Sequence, residues 1–118
     1  MGFSSGGGDR FGATEGSLRS KVRKIAQSLP KDHTKLTSRG WKNITHPNNH
    51  SNTTTYEKDG VKINHDKGIA GKPGFQGKDH YHIFNPNRTG KTDYYFDKNG
   101  NVVPKGSKES HISFLRGL

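Results

Sequence analysis

The chain has no cysteine, which excludes disulfides and thiolate zinc sites. It is poor in apolar residues, with 25% hydrophobic against 16 glycines. A small core and much turn and loop structure follow. No apolar run is long enough to span a bilayer, and the N-terminus lacks the basic and apolar segments of a signal peptide. Any export address is expected elsewhere, on a larger parent chain. Acidic residues are scarce as well: ten Asp and Glu face twenty Lys and Arg, a formal charge of +10.

Low hydrophobicity with high net charge is also the signature of disorder. Against that reading, the aromatic residues gather in the second half with regular turn signals between them. The 118 residues suit one domain. The expected organisation is a flexible linker over 1–16, rich in glycine, and one domain over 17–118. A charge of +10 concentrates polyanions, which points to nucleic acid as the partner. Stable membrane association is not expected, because the one basic helix is short and has few bulky apolar residues. The Asn-x-Ser/Thr sites at Asn43, Asn49, Asn52 and Asn87 reflect an Asn- and Thr-rich composition.

Ser17 reads as an N-cap, and Leu18, Val22, Ile25, Ala26 and Leu29 share a helical face. Arg19, Lys21, Arg23 and Lys24 occupy much of the rest, and Pro30 ends the element. Residues 31–52 are polar, with Trp41 and Ile44 as anchors of a short helical turn or irregular segment. Asp59-Gly60 between Thr53–Glu57 and Val61–His65 is a hairpin signal. A two-residue turn pairs Tyr56 with Ile63 and Thr54 with His65, and puts Val61, Ile63 and His65 on one face. Gly68, Gly71, Gly74 and Gly77 recur every third residue and predict a long mobile loop carrying Lys67, Lys72 and Lys78. Strands are expected over Asp79–Phe84, Thr92–Phe96 and Asn101–Val103, the last two joined by the turn Asp97-Lys98-Asn99-Gly100. Helix first, then four to five antiparallel strands, is an α+β fold. The helix should cover one sheet face and leave the other as an open cleft.

Lys78-Asp79-His80-Tyr81-His82 is the segment richest in chemistry. On a strand His80 and His82 share a face, about 7 Å apart by the strand rise, with Tyr81 and Ile83 on the other. Two imidazoles near neutral pKa suit general acid–base catalysis. A ribonuclease needs a base for the ribose 2′-proton, an acid for the leaving 5′-oxygen and cations around the charged transition state. The substrate-binding candidates are Lys78, Tyr81, Arg88 and Lys105. His65 and His111 are secondary catalytic candidates, whereas His33, His46 and His50 sit in polar loops. Glu57 and Glu109 are the carboxylates considered as bases. His-x-His is also a metal-ligand spacing that another histidine or Asp can complete. An HNH nuclease wants a helix after its hairpin, but Asn85-Pro86-Asn87-Arg88-Thr89-Gly90 reads as turn followed by strand. Gly90-Lys91-Thr92 lacks the first glycine and the helix of a P-loop.

Several pieces, taken together, carry a resemblance. They are Gly40-Trp41-Lys42-Asn43-Ile44-Thr45-His46-Pro47, His65-Asp66-Lys67-Gly68, Gly71-Lys72-Pro73-Gly74-Phe75 and Gly77-Lys78-Asp79-His80-Tyr81-His82. Asn85-Pro86-Asn87, Pro104-Lys105-Gly106-Ser107 and Ser110-His111-Ile112 continue the series. The stretch from Trp41 to His111 resembles the C-terminal toxin domains of bacterial polymorphic toxins, found at the ends of Rhs/YD-repeat, LXG and contact-dependent inhibition proteins. The resemblance implies secretion or delivery as the end of a larger effector and action on tRNA or rRNA in the target-cell cytoplasm. It also implies a cognate immunity protein, expected to be acidic. Several such domains have the barnase/RelE-like ribonuclease plan, a helical N-terminus before a four-stranded antiparallel sheet. The expectation is a monomeric endoribonuclease toxin that needs no cofactor and no metal. A metal-dependent DNase toxin and a noncatalytic nucleic-acid-binding module are the alternatives.

Overall fold

The computed structural model describes residues 10–49 and 51–113, with side chains from 17 onward. Helix α1 spans Arg10–Gln27. Its apolar stripe is buried as the spacing requires: Val22 and Ala26 lie in the core, with Leu18 and Ile25 packed at its margin, while Leu29, expected in the helix, joins the core two residues past its end. Arg19, Lys21, Arg23 and Lys24 face solvent. The helix starts seven residues before the Ser17 cap, so the linker boundary at 16 falls inside it. No proline interrupts 10–16. Once the packed half is nucleated, extension upstream costs only intrinsic propensity, about 1 kcal/mol at each of Gly12 and Gly16. Residues 1–9, with the Gly6–Gly8 run, and His50 lie outside the described residues.

A 3-10 helix, His33–Arg39, follows the Pro30 break. Asp32 caps it by accepting from the Thr34 amide, and Leu36 is buried in the core. Sequence reading overlooked Leu36, an isolated apolar residue among polar ones.

The sheet has six antiparallel strands in simple order: β1 (Lys42–Asn43), β2 (Thr53–Lys58), β3 (Val61–Asp66), β4 (His80–Phe84), β5 (Tyr95–Phe96) and β6 (Val102–Val103). The protein is thus α+β, a helix followed by a meander, with the two-residue β1 as an edge addition. The β2–β3 hairpin has the expected register, Tyr56 opposite Ile63 and Thr54 opposite His65. Asp59 (φ 52°) and Gly60 (φ 82°) supply the two left-handed residues that its tight turn demands. β5 is shorter than expected because Asp93 turns back to accept from the Thr89 and Gly90 amides, holding 89–93 in a turn.

One face of the sheet, with Tyr56, Val61, Ile63, Tyr81, Ile83 and Phe96, packs against α1, Leu36 and Trp41. Burying each large apolar side chain contributes about 1.5–3 kcal/mol. The helix is fastened at two of the sheet's connections: Lys21 Nζ donates to the Asp59 carbonyl (3.1 Å), and Arg19 to the Asn101 side chain. Close approach fixes Gly100 (φ 83°): a Cβ there would lie 2.9 Å from the Arg19 carbonyl.

Candidate active site

Strand alternation sends His80, His82 and Phe84 to the face away from α1. Cross-strand pairing then decides their neighbours. Asp66 stands opposite His80 and Asn64 opposite His82 on β3, while Tyr95 stands opposite Phe84 on β5. A further contact closes the group. Ile112 makes a two-way backbone pair with Tyr81 (2.8 and 2.9 Å) and enters the core. Its neighbour His111 therefore points to the other face, with its ring 4.8 Å from His80 and 4.7 Å from His82.

Asp66 joins the two strand histidines, its Oδ2 lying 3.2 Å from His80 Nε2 and 3.3 Å from His82 Nε2. The Thr53 hydroxyl donates to its other oxygen. Burial favours the neutral Asp66 carboxyl, but hydrogen bonds from His80, His82 and Thr53 overcome it and hold the pKa far below the carboxylate range. Burial also opposes a charged His80. Asp66 on one nitrogen and the Lys78 carbonyl on the other (2.9 Å) outweigh it, so the His80 pKa rises. His111 moves the opposite way, lowered first by burial and then by His82. Two imidazoles 4.8 Å apart are thus tuned in opposite directions.

The face is not the open cleft expected. His80 and His82 are only 6% and 7% exposed. Phe75 stacks on His111 (4.6 Å) and meets His80 edge-on, and Tyr95 stacks on His82 (4.6 Å). Phe75 is delivered by the glycine-rich loop, which is folded on itself. The Ile69 amide donates to the Gln76 carbonyl (2.8 Å), and the Gly68 amide to Asp79 (2.8 Å). A Cβ at Gly77 would lie 2.1 Å from the Lys72 carbonyl oxygen. Of the three imidazoles only His111 reaches solvent appreciably.

The other candidates fall elsewhere. His65 is on the α1 face, 2% exposed, stacked on His33 at 4.0 Å, and separated from the triad by the sheet. Neither of its nitrogens has a hydrogen-bond partner. Burial, with His33 beside it, pushes its pKa down to about 4. Tyr81, expected to bind substrate, is fully buried and donates its hydroxyl to the Pro30 carbonyl (2.6 Å). Lys78 is exposed two residues before β4, where its carbonyl orients His80. Arg88 and Lys105 are exposed beyond Tyr95, each over the Tyr94 ring (5.1 and 4.8 Å). His33, expected in a polar loop, opens the 3-10 helix, and its Nδ1 is 2.7 Å from the Tyr56 hydroxyl. The carboxylate in the cluster is Asp66, neither Glu57 nor Glu109. The predicted hairpin register carried its signal, since Asp66 must face opposite to His65.

His80, His82 and His111 each offer a nitrogen within 4.8 Å of the others, so they are the metal-ligating candidates among the described residues. Zinc bonds of 2.0–2.1 Å in a tetrahedral shell need nitrogens about 3.4 Å apart, so the triad has to contract to hold an ion. Every ion pair among the described residues joins a histidine to an aspartate, which leaves the lysines and arginines there without carboxylate partners. Comparison with protein-family models, curated proteins and solved structures finds no match.

Proposed function

We propose that the domain is a metal-independent endoribonuclease. The observation that carries this reading is the pair His111 and His80, adjacent and tuned in opposite directions with Asp66 behind His80. Environments that push two titratable groups apart are how one site supplies both base and acid. Neutral His111 takes the ribose 2′-proton as the 2′-oxygen attacks phosphorus. The P–O5′ bond breaks as protonated His80 turns its Nδ1–H from the Lys78 carbonyl and gives that proton to the leaving 5′-oxygen, while Nε2 stays on Asp66. The products are a 2′,3′-cyclic phosphate and a free 5′-hydroxyl. His82 shares Asp66 and holds the pair in place. Substrate enters past half-exposed His111, and the Phe75 edge gives way. Unpaired cations supply the field that gathers RNA.

The toxin role belongs to the same proposal and rests on the motif resemblance and the +10 charge. The domain is carried as the end of a larger effector, cuts tRNA or rRNA in the target-cell cytoplasm, and is neutralised by an acidic immunity protein. One experiment separates the readings: total RNA, 2′-O-methylated RNA and plasmid are incubated with pure protein, each with and without EDTA. RNA cleavage that survives EDTA and spares the methylated strand and plasmid is the expected result. The convergence of three imidazoles supports one second reading, a metal-dependent DNase, for which plasmid is cut, EDTA abolishes cleavage and a divalent ion restores it. No cleavage of any substrate by folded protein refutes both.

A further inference from the structure

Beyond the histidines the same sheet face continues as an aromatic path. His82 stacks on Tyr95 (4.6 Å), and Tyr95 meets Tyr94 edge-on at 4.8 Å. The path ends at a cavity of about 330 Å³ lined by Arg88, Thr89, Gly90, Lys91, Tyr94 and Lys105. Three cations and no carboxylate line it. The Arg88 guanidinium lies 5.1 Å from the Tyr94 centroid and 5.4 Å from Phe84, and Lys105 Nζ lies 4.8 Å from Tyr94. Asp93, the nearest acid in sequence, is turned onto the loop, accepting from the Thr89 amide and hydroxyl and the Gly90 amide. Among the described residues no carboxylate oxygen comes within 4 Å of Arg88, Lys91 or Lys105.

A ring face positions a cation without neutralising it, so its charge and donors stay available to an anion. Ring and guanidinium planes are also stacking surfaces for a nucleobase, but only an unpaired base can offer its face. We propose that this cavity is a nucleotide subsite for single-stranded polynucleotide. Arg88, Lys91 and Lys105 take a phosphate, and the base stacks at Tyr94, one nucleotide step from the histidines. The subsite gives the ribonuclease reading its substrate class, single-stranded RNA, and rests on that reading for the sugar.

The test uses the intact chain and a short fluorescent 2′-O-methyl oligoribonucleotide, which binds without being cut, with anisotropy measured across a salt series. Tyr94→Leu should weaken binding about tenfold or more, and Tyr94→Phe should retain it, since the ring carries the stacking. Arg88→Gln with Lys105→Gln should reduce the slope of log K against log salt by up to about 0.7, the share of one neutralised phosphate on a single strand. Lys42→Gln, on β1 at the far edge of the sheet, should change affinity far less. Circular dichroism confirms that each variant is folded. Unchanged affinity in both Tyr94→Leu and the double variant overturns the subsite, as does a perfect duplex bound as tightly as the single strand. Because the probe cannot be cut, absence of ribonuclease activity leaves the binding result standing. Tyr94-insensitive binding by an active enzyme removes the subsite alone.

Discussion

His65 should make the fold sensitive to mild acid. In the native protein its pKa is about 4, against 6.5 when the chain is unfolded. Between those values the unfolded chain binds the extra proton and the native state refuses it, so stability falls as pH drops through 6.5 and levels off below 4. The difference of about 2.5 pKa units corresponds to a loss near 2 kcal/mol at pH 5 and near 3 kcal/mol at pH 4. The residue is 2% exposed, so solvent screening does little to reduce this. His80, with its pKa raised, works the other way: its stabilisation is complete below pH 6.5 and leaves no slope in the window. Asp66 loses its charge only at lower pH. His65→Leu keeps similar bulk, removes two buried nitrogens that lack hydrogen-bond partners, with only the Asp79 carboxylate 3.7 Å from Nε2, and abolishes the titration. Urea unfolding at pH 7 should find the variant within about 1 kcal/mol of the parent, lost ring contacts offsetting relieved desolvation. At pH 5 the variant should be the more stable by roughly 2 kcal/mol relative to that baseline. A parallel decline of both proteins from pH 7 to pH 5 would refute the assignment of the acid sensitivity to His65.

The remaining predictions concern the site and the elements that shape it. His80→Ala and His111→Ala should each lower RNA cleavage at least about a hundredfold without unfolding the protein, while exposed His46→Ala stays active; initial rates on a labelled RNA decide this. Asp66→Asn removes the charge that raises the His80 pKa, so the alkaline limb of the activity profile should move to lower pH. An unmoved limb would separate Asp66 from the acid. Tyr81→Phe leaves the Pro30 carbonyl without its donor and should cost about 1–3 kcal/mol in urea unfolding. Gly77→Ala places a methyl against the Lys72 carbonyl, so the loop must open; activity should change and Phe75 contacts to His111 should be lost by NMR.

Local patterns determined much of this protein. The stripe Leu18–Leu29 with a proline after it specifies a helix and its buried side, and Asp59-Gly60 specifies a hairpin together with its register. The His-x-His spacing specifies that His80 and His82 share a face. These are properties of neighbouring residues, and helix and strand periods translate them directly into geometry. The net charge of +10 is equally a sequence fact, but that the described cations have no carboxylate partners is not. Only the tertiary structure decided which polar groups meet. Asp66 enters the cluster because β3 pairs with β4 in one register, and His111 because Ile112 returns to pair with Tyr81. His65, one residue from Asp66, is turned to the opposite face by the same pleat. Its burial follows from the 3-10 segment, whose His33 stacks on its ring, a contact no local pattern contains. The glycine repeat shows the same limit. Spacing alone suggested mobility, whereas the close approaches at Gly68 and Gly77 fold the loop and set Phe75 over the histidines. Contacts between residues distant in sequence depend on register, chain return and packing, so they arise only when the whole chain folds.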